Sequence, residues 1–131
     1  NLINDKIKFE GIAGTNEPII IDYTPPIGDG EGIMPLEMLL LSLASCSGAT
    51  VALMLRRMHK NVSGLKVNAC GIRREEHPLG FISIRLEFLI NSTDADDEAV
   101  QKAIKLSEDT YCPVWAMLKG NVEINTEYKV Q

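Results

Sequence analysis

No Cys-x-x-Cys and no His-x-x-x-His occurs anywhere in the chain, so a zinc site has little support, and no cofactor is expected. Basic residues are too few and too scattered for a nucleic-acid surface. Thirteen Lys and Arg stand against eighteen Asp and Glu, a net charge of −5, which excludes an electrostatic footprint for phosphate backbones. Gly28, Gly30 and Gly32 alternate in one segment, but the lysine and hydroxyl of a phosphate-binding loop are missing. Asn1 to Glu10 contain no basic patch followed by an apolar block, so no signal peptide is visible and a cytoplasmic protein is expected. The first residue is not Met, and a few preceding residues are expected. Internal repeats and low-complexity tracts are absent. With 131 residues the chain suffices for one domain, 1–131, burying about two thirds of its unfolded surface without needing a disulfide.

What is present is a run without charge. Met38 to Leu55 reaches the lower edge of the length a membrane-spanning helix needs, and Arg56, Arg57 and Lys60 follow it. Ser42, Ser45, Cys46, Ser47, Gly48 and Thr50 dilute its apolarity, Glu37 lies one residue before it, and the sequence beyond reads as a soluble sheet. The run is therefore read as a helix buried on nearly all sides, with no membrane as partner. One small domain cannot cover such a helix, whereas a symmetric copy can, and an obligate homodimer is expected.

Periodicity places the other elements. Ile7 to Gly14 and Pro18 to Tyr23 read as two short strands, followed by a mobile Pro- and Gly-rich loop from Pro25 to Gly32. Pro35 suits the first turn of a helix running to about Lys60. Leu65, Val67 and Ala69 alternate with polar neighbours after Gly64, and Ile82, Ile84, Leu86 and Phe88 do so between Phe81 and Ile90. These two strands are expected to form a hairpin through His77-Pro78-Leu79-Gly80. Thr93 or Asp94 caps the next helix, which ends near Thr110; Pro113 opens a short one up to Leu118, and Val122, Ile124, Thr126 and Tyr128 mark a last strand. The fold class is α+β.

Two of the three thiols invite chemistry, because cytosolic cysteines rarely serve as permanent crosslinks. Cys46 lies in the charge-free run, where a small core hydrophobe and a sheltered nucleophile are both consistent with its surroundings. Cys112, just before Pro113, falls at a helix cap where backbone amides favour a thiolate, so it is expected to be alkylated at least as easily as Cys46. Cys70, beside Ala69 and Gly71 on a strand, reads as packing. Glu37 is either a favourable first-turn charge or part of a site. His59 follows the basic helix end and His77 lies in a turn. Tyr111 and Trp115 flank Cys112 and either anchor the core or line an apolar pocket.

Met34-Pro35-Leu36-Glu37 leading through Leu43-Ala44-Ser45 to Cys46, then Val62-Ser63-Gly64-Leu65, Glu76-His77-Pro78, Leu106-Ser107-Glu108 and Tyr111-Cys112-Pro113-Val114, resembles the OsmC/Ohr family of osmotically inducible and organic-hydroperoxide-resistance proteins. The resemblance implies an intertwined homodimer whose long central helix is enclosed by antiparallel sheets. It also implies a peroxidase pair in which Cys46 attacks the peroxide and Cys112 resolves, with Glu37 matching the acidic helix opening. Peroxidase members use an Arg from an early strand to activate the attacking thiol. Here no Arg precedes Arg56, and Arg56 and Arg57 lie about 15 Å along the helix from Cys46. Lys6, Lys8 or a cation of a second subunit is the expected substitute. The expected function is thiol-dependent reduction of apolar organic hydroperoxides at the expense of a dithiol reductant. The alternative is a non-catalytic dimeric module binding a small apolar ligand.

Overall fold

A computed structural model describes residues 1–131. The chain divides into two compact units, Asn1–Leu39 and Leu40–Gln131, with the division inside the long helix.

In the first unit, strands β1 (Phe9–Gly11) and β2 (Ile19–Ile21) pair antiparallel. Both are shorter than the apolar runs suggest. The Pro- and Gly-rich loop after them forms no helix or strand, yet it is organised around Asp22. This buried carboxylate accepts hydrogen bonds from the backbone N–H groups of Tyr23, Asp29 and Glu31 at 2.8–3.2 Å. Burial pushes the Asp22 pKa up, but those three donors outweigh it and hold the group below the ordinary carboxylate value. The expectation of a mobile segment is therefore replaced by a loop tied to an ionised anchor. Gly28 and Gly32 permit its close approach: a Cβ at either would come within 2.2–2.9 Å of backbone atoms of the strand end at Ile20–Tyr23.

Helix α1 (Pro35–Arg57) begins in the first unit and continues through the second. It stops three residues earlier than its charge pattern suggests, because His59 adopts a left-handed backbone (φ 59°). The reversal lets the N–H groups of His59 and Lys60 donate to the carbonyls of Arg56 and Leu55.

The second unit contains a three-stranded sheet, in the order β3 (Val62–Arg73), β4 (Phe81–Ser92), β5 (Glu123–Val130). The hairpin of β3 and β4 is antiparallel as expected, whereas β5 joins β4 in parallel, so the sheet is mixed. Helix α2 (Asp97–Leu106) continues into a π-helical turn, Ser107–Tyr111, which Cys112 ends before the short helix α3 (Pro113–Leu118). The α2 cap is Asp96, whose carboxylate accepts from Ala99 N–H at 2.8 Å, not Thr93 or Asp94. Asp94 is engaged elsewhere, accepting from Asn61 N–H and the Ser92 hydroxyl.

The core of this unit joins Leu43, Val51, Met54 and Leu55 of α1 to Ile84, Leu86, Phe88 and Ile90 of β4, to the inner face of α2, and to Trp115. Each such buried side chain contributes about 1.5–3 kcal/mol of hydrophobic stabilisation before conformational entropy is counted. Ile82, expected on that face, is 53% exposed, and Ile90 takes the fourth core position instead. Helix α1 and β3 meet closely at Gly48, where an added Cβ would lie 2.9 Å from Val67 Cγ2. Helix α1 is long and apolar enough to cross a membrane, but a core helix of a soluble protein has the same character. Its other face exposes Leu41, Ser45, Ala49 and Leu53, so the single chain covers only one side of it.

Candidate active site

Cys46 and Ser47 are neighbours on α1, about a third of a turn apart, and both lie against the segment that starts α3. Cys112 is the N-cap of that helix, with extended backbone (φ −86°, ψ 104°) and a sulfur that accepts from Trp115 N–H at 3.4 Å. The capping position expected from Cys112-Pro113 is therefore formed. Its accessibility is not as expected: Cys112 is 2% exposed, while Cys46 is half-buried. Burial runs against the expectation that Cys112 alkylates as readily as Cys46, because a cap can be sealed by the core, as this one is.

The two thiols lie near each other, close enough for Cys112 to act on the titration of Cys46. Burial raises the Cys46 pKa, hydrogen bonding with Cys112 raises it further, the Val114 N–H lowers it, and charge on Cys112 raises it again. The net direction is upward, and no cation is among the groups acting on this sulfur. Lys6 and Lys8, the expected substitutes for the missing Arg, pair within the first unit with Asp29 and Glu31 at 2.6–3.3 Å. Arg56 and Arg57 occupy the last turn of α1.

Glu37 sits in the first turn of α1, and its carboxylate accepts from Met34 N–H at 2.9 Å. This is the backward half of a capping box, which satisfies one of the free amides at the helix start. Cys70 is exposed on β3. Tyr111 is half exposed at the end of the π-helical turn, whereas Trp115 is 2% exposed and anchors the core. No group of three or more His, Cys, Asp or Glu side chains could hold a metal ion.

Ser47 is the residue that sequence reading missed. It is fully buried, and its Oγ lies 3.7 Å from Cys112 Sγ, where either atom can donate. Its neighbours behave differently: the Ser45 hydroxyl donates to the Ser42 carbonyl and the Thr50 hydroxyl to the Cys46 carbonyl, satisfying themselves within α1. Nothing in the sequence separates Ser47 from Ser45, which also adjoins Cys46 but is exposed; only the fold turns Ser47 inward onto Cys112. A second buried hydroxyl, Ser107 Oγ at the start of the π-helical turn, has no hydrogen-bond partner, while the Ser107 carbonyl accepts the Cys112 N–H.

The family model described as OsmC-like protein matches residues 28–127. Protein YhfA of Escherichia coli (strain K12) is 33% identical over 124 residues, covering 95% of this chain and 90% of its own; the Shigella flexneri protein of the same name matches equally. The crystal structure of an OsmC like protein from Mycoplasma pneumoniae superposes with a TM-score of 0.83 at 25% identity, over 97% of this chain and 91% of that one. The organic hydroperoxide resistance protein OhrB of Bacillus subtilis shares the fold at 17% identity, with a TM-score of 0.57 over 93% of this chain and 97% of that one.

Proposed function

The chain belongs to the OsmC-like family, and from that premise we propose that it is a thiol peroxidase reducing organic hydroperoxides through Cys46 and Cys112. The observation that carries this reading is the meeting of two free thiols from distant parts of the chain on the same side of α1. Cys46, the more accessible sulfur, attacks the terminal peroxide oxygen as a thiolate. The O–O bond breaks, the alcohol departs with a proton, and Cys46 becomes a sulfenic acid. Cys112 then attacks that sulfur, water leaves, and a disulfide forms before further oxidation. A dithiol restores both thiols. The apolar setting of Cys46 favours fatty or aromatic hydroperoxides over hydrogen peroxide. Free thiols in such a pair fit a reducing compartment, and the cytoplasm is the proposed location.

A second copy of this chain is the proposed cover for the outer face of α1. Leu41 is 57% exposed and Leu53 46%, and Ser45 and Ala49 between them add no charge, so the stripe suits a symmetric helix-to-helix contact. Sedimentation is expected to give a dimer that Ala49→Arg converts to monomer; a wild-type monomer would contradict it.

The raised pKa of Cys46 favours a second reading, a binding module for a small apolar ligand whose thiols oxidise only slowly. Turnover of cumene hydroperoxide with a dithiol reductant separates the two. Multiple turnovers lost in Cys46→Ser support the peroxidase, and a single stoichiometric oxidation without turnover supports the module. Cys112→Ser is expected to keep the first oxidation step and accumulate a Cys46 sulfenic acid that dimedone traps.

A further inference from the structure

We propose that Ser47 is a catalytic residue of disulfide reduction: its hydroxyl donates to Cys112 Sγ as that sulfur leaves the Cys46–Cys112 disulfide, so that the reductant attacks at Cys46. The inference rests on the dithiol–disulfide chemistry proposed above, but not on the identity of the oxidant.

Three observations converge on it. Ser47 is 0% exposed, and a buried hydroxyl without a partner is costly, so its contact with Cys112 Sγ at 3.7 Å is where that hydroxyl is satisfied. Ser45 and Thr50, on the same helix, take their own helix's carbonyls; Ser47 alone of these three turns to a sulfur. In the reduced pair either Ser47 or Cys112 can supply the proton. Once Cys112 is part of a disulfide, or carries negative charge, it has no proton, and the serine must be the donor. Trp115 N–H, 3.4 Å from the same sulfur, is a second donor.

The two ends of the disulfide are thus unequal. Cys112 is buried with two donors on its sulfur, while Cys46 is only partly buried and is acted on by the Val114 N–H. A reductant thiolate reaches Cys46 Sγ and forms a bond to it. The Cys46–Cys112 bond breaks, and its electron pair stays on Cys112 Sγ, where Ser47 O–H and Trp115 N–H meet the developing charge. The second thiol of the reductant, after losing its proton, attacks its own sulfur in the mixed disulfide and releases Cys46. The reductant leaves as a disulfide, and its two protons end on Cys46 and Cys112.

The test uses the full chain oxidised by diamide, so that no hydroperoxide is involved. A monothiol, 2-mercaptoethanol, is added briefly, the reaction is quenched with acid, and the mixed disulfide is located by peptide mass mapping. The expected adduct is on Cys46, and reduction by dithiothreitol is expected to slow about tenfold in Ser47→Ala and to recover in Ser47→Thr. An adduct on Cys112, or Ser47→Ala reduced at the wild-type rate, would overturn the proposal. Because the wild-type adduct requires no variant, a misfolded Ser47→Ala leaves the proposal open to refutation. Failure of hydroperoxide turnover alongside Ser47-dependent reduction would remove the peroxidase reading and leave this one standing.

Discussion

The two sulfurs of the site occupy opposite kinds of setting. Cys46 lies near the middle of a 23-residue helix, partly buried, with its pKa raised by burial and by the neighbouring thiol. Cys112 caps a six-residue helix, is sealed from solvent, and is held by a backbone amide and a serine hydroxyl. Access is thus given to one sulfur and hydrogen-bond donors to the other. A pair divided this way suits a cycle in which both oxidant and reductant arrive at Cys46 while Cys112 acts from behind it.

Alkylation is the sharpest way to break that contrast. Under brief iodoacetamide at neutral pH, exposed Cys70 is expected to react first, Cys46 more slowly, and Cys112 about a hundredfold more slowly than Cys70, as burial dictates. Cys112 labelled ahead of Cys46 would erase the distinction. A smaller effect concerns pH. Since the Cys46 pKa is raised, the thiolate is a minor species at neutral pH and its fraction grows with alkalinity. The rate of Cys46 oxidation by cumene hydroperoxide in Cys112→Ser is expected to rise about tenfold per pH unit from 6 to 8, because the unshifted thiol already titrates above that range. A plateau below pH 7 would show a cation that lowers the pKa instead. The smallest effect is a control outside the site. Asp96→Ala removes the α2 cap and the 2.7 Å pair with Lys60, and is expected to lower Tm by about 3–5 °C without altering the order of thiol reactivity. Lys60 holds the Asp96 carboxyl below its ordinary pKa, so this contribution is present at neutral pH and fades as pH falls through the folded-state pKa.

Local chemistry was legible in the sequence where it depended on neighbours along the chain. Pro35 and Pro113 mark helix starts, Cys112 is a cap, and Ile84, Leu86 and Phe88 alternate into the core. What depended on distant partners was not. Asp96 caps α2 because Asp94 is taken by Asn61, 33 residues away. The parallel pairing of β5 with β4 leaves no mark in a strand's own alternation. The π-helical turn looks like a continuation of α2, since its residues keep a helical pattern. The Cys112-Pro113 pair marks a cap but carries no sign of the core layer that buries its sulfur, which is why easy alkylation of Cys112 is a poor expectation from sequence. Ser47 was passed over as a residue that merely dilutes an apolar helix, and only the position of Cys112 gives its hydroxyl a purpose.

The central claim is that Cys46 and Cys112 form one redox unit, and non-reducing peptide mapping after one equivalent of cumene hydroperoxide tests it most directly. The predicted product is a single linked peptide joining Cys46 to Cys112, absent in either serine variant, with Cys70 still free. Cys46 found as sulfinic or sulfonic acid beside an unmodified Cys112 would contradict the account.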